Sequence, residues 1–219
     1  MNQKSTPATA QQGVPASSGS AGRLVWPHRA NPWLVCAMVW LCLCLCGVRQ
    51  VRADDVAVPI PMQVQLLASV ADYDKAFAER AKGSVKIVLL TSKDPDSARA
   101  AAQVRVALRG VSQIAGLPHE ESIVQFESAA ALRDLCRSKG VGVVFVMPGF
   151  QKEVADIKRS LDGVSVLSVA TVGAYVQEGV VLGFDVISGK PKLLVNLPQA
   201  RAQKVAFKAE LLKMVKVIE

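Results

Sequence analysis

Few residues in this chain have the types and spacing that chemistry needs. His119 stands beside Glu120 and Glu121, a trio suited to acid–base work or to a metal ion. Adjacent side chains rarely converge on one ion, and the other histidine, His28, lies in the N-terminal leader. The segment Gly116-Leu117-Pro118-His119-Glu120-Glu121 therefore reads as a solvated loop. Cys136 falls in ALRDLCRSKG, where Leu132, Leu135 and Cys136 share a helical stripe. That pattern describes a small buried apolar residue; a reactive thiol would need an exposed, electropositive setting. No GxSxG nucleophile turn is present, and neither GxGxxG nor GxxxxGK[ST] follows a strand. The inventory provides for no catalytic residue, no cofactor and no metal, and so for a protein that is not an enzyme.

One site is legible from topology. In open α/β sheets, ligands favour the crevice beyond the carboxyl ends of the strands. Three such ends carry short hydroxylic or glycine-containing turns: Thr91 and Ser92 with Lys93, then Pro148, Gly149 and Phe150, then Thr171 and Gly173 around Val172. These are the candidate residues for a small ligand or a partner's side chain.

The elements that must position them follow from periodicity. Met62 to Lys82 reads as a helix closed by Gly83. Val85 to Leu90 is a nearly continuous apolar run, the pattern of a strand buried on both faces. Asp94-Pro95-Asp96 turns the chain, and Asp96 or Ser97 caps an Ala-rich helix reaching Arg109. Ser122–Phe126, Val141–Met147 and Val164–Val169 read as strands, separated by helices over Ser128–Lys139 and Gln151–Leu161. Thr171 to Glu178 is less regular. Val180–Ile187, a turn at Ser188-Gly189-Lys190-Pro191 and a strand at Lys192–Val195 form a hairpin. Asn196 caps the segment that follows, with Leu211, Leu212, Val215 and Ile218 at helical spacing. Strands alternating with helices imply right-handed parallel units. The expected fold is a three-layer α/β/α sandwich: a mostly parallel sheet of about six strands, closed by a C-terminal antiparallel hairpin and helix.

Charge divides unevenly along the chain. The formal net charge is +8, yet residues 1–53 contribute five basic residues and no acid, leaving 21 basic against 18 acidic residues beyond. So mild an excess leaves no electrostatic footprint for nucleic acid. Cys36, Cys42, Cys44 and Cys46 also sit in the leader. Residues 1–22 are low in apolar content and read as disordered. Arg23, His28 and Arg29 precede an apolar run from Trp33 to Val48, short for a membrane span, and Val51-Arg52-Ala53 follows. Together these make a secretory signal peptide with cleavage after Ala53. The expected organisation is a leader over 1–53 and a single α/β domain over 54–219. The expected location is the periplasm of a Gram-negative bacterium, with no membrane insertion after cleavage; the rival is an uncleaved anchor in the inner membrane.

The closing hairpin resembles the YfiR-like family of bacterial periplasmic regulatory proteins. The matching residues are Gly179, Val181 and Phe184, Gly189 and Lys190 in the turn, Val195-Asn196, Ala200, Val205, Leu211, Leu212 and Val217. VSVLSVATVG and VVFVMPG match two further strands. The chain departs from the pattern at Glu178-Gly179, where the family has a glycine pair, and in DYDKAFAERAKG, which has no Trp. The resemblance implies a non-enzymatic regulator whose partner is the periplasmic domain of an inner-membrane sensor, either a diguanylate cyclase or a sensor kinase. The βαβ order also allows a small-solute-binding protein. A homodimer formed through the exposed hairpin edge is a further expectation.

Overall fold

The computed structural model describes residues 56–219; the signal-peptide reading, including Ala53, lies outside the described residues. Apolar runs set the sheet. VKIVLLT forms β1 (Val85–Thr91), and VVFV and LSVA form β3 (Val143–Val146) and β4 (Leu167–Ala170), both buried along their whole length. The remaining strands are β2 (His119–Gln125), β5 (Leu182–Ile187), β6 (Lys190–Asn196) and β7 (Lys216–Ile218). All seven join one sheet in the order β2-β1-β3-β4-β5-β6-β7. Strands β2 to β5 in that order run parallel; β6 is antiparallel to β5, and β7 is parallel to β6.

Helices cover both faces, which makes the three-layer α/β/α sandwich. On one face lie α1 (Ile60–Ala71), α2 (Phe77–Ala81) and α3 (Pro95–Arg109). Their residues Val64, Leu67, Phe77, Val104 and Leu108 pack with Ile87, Leu89, Phe145, Val169 and Phe184 of the sheet. On the other face lie α4 (Ala129–Lys139), α5 (Val154–Leu161) and α6 (Ala174–Glu178). There Leu132, Cys136, Ile157 and Tyr175 pack with Val88, Leu90, Val144 and Val146. Strands β1, β3 and β4 supply the two cores alternately, as the period of two requires.

Several expectations need correction. The helix expected over 62–82 is two helices. The break at Tyr73-Asp74 is held by tertiary contact: Asp74 Oδ1 accepts from the amides of Ala76 and Ala206, both at 3.1 Å, and Lys75 N donates to Ala206 O. Asp94, not Asp96 or Ser97, caps α3, accepting from Asp96 N at 2.9 Å. Pro95 at the first helical position suits that start. His119, expected in a loop, opens β2 opposite Val85. The expected fourth strand begins later, at Leu167, and α6 forms where irregular chain was expected.

The largest difference is at the C-terminus. The hairpin turn is where it was expected but shorter: Ile187 pairs with Lys190 across Ser188 (φ 53°) and Gly189 (φ 72°), and Lys190 and Pro191, expected in the turn, open β6. Positive φ at both central residues is the geometry of the tight turn that matches strand twist. Asn196 Oδ1 accepts from Gln199 N at 2.9 Å and caps α7 (Leu197–Ala202), while its amide donates to Val176 O. The closing helix is only α8 (Ala209–Leu212), with Leu211 buried and Leu212 half-buried. Val215 follows in a turn, and Ile218 belongs to β7, beside Asn196. The second half of β6 is therefore covered, and of the hairpin edge on which homodimer pairing was expected only Lys190–Leu193 is left without a neighbouring strand.

Candidate functional site

The strand order places a reversal between β1 and β3. From β1 the chain passes through α3 to β2 on one side, then through α4 to β3 on the other. At such a reversal the connecting segments diverge to opposite faces and leave a crevice beyond the carboxyl ends. A cavity of about 400 Å³ lies there. Pro148 and Gly149 line it after β3, Asp94 and Asp96 after β1, and Arg99 and Gln103 along the first turns of α3. Val56, Pro59 and Ile60 close it from the segment leading into α1.

Of the seven residues expected there, only Pro148 and Gly149 line the cavity. Thr91 and Thr171 are buried, and their hydroxyls are spent on backbone, donating to Val124 O (3.3 Å) and Val146 O (3.2 Å). Phe150 is buried in the second core, edge-on to Phe126 with centroids 5.7 Å apart. Gly173 sits against β5, where an added Cβ would meet Phe184 O at 2.8 Å. Ser92 lies directly behind the crevice. Its Oγ accepts from Asp94 N at 3.1 Å, and its own amide donates to Ser97 Oγ at 2.9 Å. The turn from β1 into α3 is thereby fixed.

The opposite wall is fixed as firmly. Tyr175 is fully buried, and its hydroxyl accepts from the amides of Gly149 (3.1 Å) and Phe150 (3.0 Å). Gly149 has φ 90°, and an added Cβ would lie 2.5 Å from Ser92 Oγ. Both the backbone and the close approach require glycine there. Tyr175 was not expected as a site residue, because nothing in AYVQE marks a hydroxyl that reaches back to a loop 25 residues earlier.

The crevice mixes apolar and charged lining, with two acids, Asp94 and Asp96, against one base, Arg99. Asp96 and Arg99 pair at 2.5 Å, but both are more than half exposed, so the pair contributes little to stability. Asp94 is committed to its cap. Among the described residues no group of three His, Cys, Asp or Glu side chains could hold a metal ion. His119 is half-buried, and its Nε2 donates to Val111 O at 2.8 Å, which ties it to the preceding loop. Cys136 is buried, and burial pushes its thiol up to about 12. The arrangement can hold and orient a polar group; it presents no activated nucleophile.

The fold and this crevice define an open α/β sheet protein with a strand-end pocket. Solved structures of that architecture are similar to it. One is the ABC domain in complex with L-Trp from Streptococcus pneumoniae, at 16% identity and a TM-score of 0.52, covering 73% of this chain and 60% of that one. Another is a conserved domain protein from Vibrio cholerae, at 9% identity and a TM-score of 0.51, covering 74% and 60%. The chain thus spans about 60% of the length of these two structures. No curated protein matches the sequence. The model of the DUF4154 family, described as YfiR/HmsC-like, matches residues 62–216, and the chain belongs to that family. The match takes in every strand of the sheet but the last two residues of β7. Among the described residues no helix is long and apolar enough to cross a membrane.

Proposed function

We propose that this protein is a non-enzymatic regulatory binding protein of the periplasm. Its partner is the periplasmic domain of an inner-membrane sensor, a diguanylate cyclase or a sensor kinase. The single observation that carries this reading is membership of the YfiR/HmsC-like family across residues 62–216. The crevice suits a binding role, since Asp94, Asp96, Arg99 and Gln103 line it and can hold and orient a polar group. Regulation then rests on a binding equilibrium: the protein holds the sensor in one state, and release shifts the population of the other.

The test is a pair of measurements. The tagged protein, crosslinked in its own host, recovers an inner-membrane cyclase or kinase from solubilised membranes. Deleting its gene changes the cyclic-di-GMP level or the kinase output. A host in which neither occurs refutes the reading.

A second reading, a periplasmic small-solute-binding protein, is favoured by the crevice at the β1–β3 reversal and by the similarity to a domain solved with L-Trp. Calorimetry with L-Trp and other amino acids decides it. A submicromolar ligand, lost on Arg99→Ala or Gly149→Val, favours solute binding over regulation.

A further inference from the structure

A second cavity, of about 470 Å³, opens at the other pole of the sheet, beside the amino ends of the strands. It lies among the C-terminal ends of α2 and α4 and the loops after α5 and α7. Four cationic side chains line it: Arg80, Lys82, Arg137 and Lys204, against one carboxylate, Glu79. Its size lies within the range that small molecules fill. Neither the regulatory reading nor the switch-point crevice uses it.

Basic residues near helix C-termini ordinarily serve the last carbonyls. Elsewhere at this pole they do: Arg133 donates to Ser160 O and Arg159 O, and Lys86 to Lys139 O. Around the cavity the carbonyls are already served by backbone. Ala78 O accepts from Lys82 N, Cys136 O from Val141 N, Leu161 O from Val164 N, and Ala200 O from Val205 N. Lys82, Arg137 and Lys204 are exposed and have no ion-pair partner among the described residues. Their charges are left to the cavity.

Arg80 differs from these three. Its side chain is 2% exposed and paired with Asp74 at 2.7 Å. Asp74 is well satisfied by that bond and by two backbone amides, so both of its oxygens have partners. The guanidinium is not: Nη1 is well bonded, Nη2 makes a long contact of 3.4 Å to Lys204 O, and Nε is buried without a partner. A buried donor without a partner is costly. The fixed guanidinium and the unpaired rim cations form a concave positive surface, where potential is focused rather than screened.

We infer that this cavity binds a small organic anion, a carboxylate- or phosphate-bearing molecule. Its charged group sits among Lys82, Arg137 and Lys204 above Arg80, and its body lies against Val141, Val164 and Cys136. The inference does not rest on the regulatory reading.

The test uses the purified protein with citrate and AMP as the carboxylate and phosphate probes, and adenosine as the neutral counterpart. The expected result is a saturable calorimetric isotherm with Kd below about 1 mM for at least one anion and none for adenosine. The anion that binds identifies the head group. Arg137→Glu and Lys204→Glu each weaken it about tenfold or more, because each replaces attraction by repulsion at a partly desolvated contact. Lys190→Glu, at the hairpin turn, makes the same change in net charge and leaves binding unchanged. Absence of binding by both anions overturns the inference. So does an equal loss with Lys190→Glu, which would mean a diffuse field rather than a site.

Discussion

Asp74 and Arg80 show how one pair of side chains can hold distant segments. Asp74 bonds Arg80, Ala76 N and Ala206 N, and so joins the turn between α1 and α2 to the C-terminal loop. Asp74→Asn keeps the shape but leaves the guanidinium buried and unpaired. The expected loss is about 3–5 kcal/mol, read from urea unfolding, because an uncompensated buried charge is far costlier than a missing hydrogen bond. A loss below about 1 kcal/mol would mean that water reaches Arg80. Cys136 gives a pH prediction. Burial raises its thiol from 9.0 to about 12, so the folded state holds its proton where the unfolded state releases it. That contribution is intact below about pH 9 and is lost as pH rises from 9 towards 12. Alkaline unfolding curves of the protein and of Cys136→Ala should therefore converge with rising pH. Parallel curves would exclude the thiol as their source.

At the scale of elements, the β5–β6 hairpin and β7 carry separate tests. Ser188 is a non-glycine residue at φ 53° in a turn that favours Asn or Gly. Ser188→Asn is expected to stabilise the protein by about 0.5 kcal/mol, detected as a raised Tm. A lowered Tm would show that the serine hydroxyl has a use in the turn. Strand β7 pairs Lys216, Val217 and Ile218 with Leu194, Val195 and Asn196. Deleting residues 216–219 bares the second half of β6 and removes two half-buried side chains. A loss of about 2–4 kcal/mol and concentration-dependent association are expected, measured by denaturation and light scattering.

For the whole molecule, the strand order 2-1-3-4-5 places one cavity at each pole of the sheet, and their chemistry differs. The switch-point crevice carries Asp94, Asp96 and Arg99, and the opposite cavity carries four cations and one acid. The two can therefore be titrated and mutated independently. The proposed export also has a whole-molecule signature. All three tryptophans, Trp26, Trp33 and Trp40, precede Ala53. Protein purified from the periplasm should show tyrosine but no tryptophan emission. Strong tryptophan emission would mean that the leader is retained.

What the sequence determined by itself was local or strictly periodic. Apolar runs announce β1, β3 and β4 because a strand buried on both faces needs no polar alternation. Gly189 and Asn196 announce a turn and a cap because their chemistry acts within three residues. The strand-end crevice was legible as a place, since it follows from parallel topology, but its lining was not. Thr91, Thr171 and Phe150 turned inward because their partners, Val124 O, Val146 O and Phe126, are brought close only by packing. Strand β7 was hidden because LLKMVKVI spaces its apolar residues as a helix does; three residues become a strand only when β6 supplies the pairing. The tertiary structure alone decided that Tyr175 clamps Gly149, that Asp74 breaks a helix, and that Arg80, Arg137 and Lys204 share one cavity. Each joins residues more than 25 positions apart or answers to such a contact, and no local propensity encodes that distance.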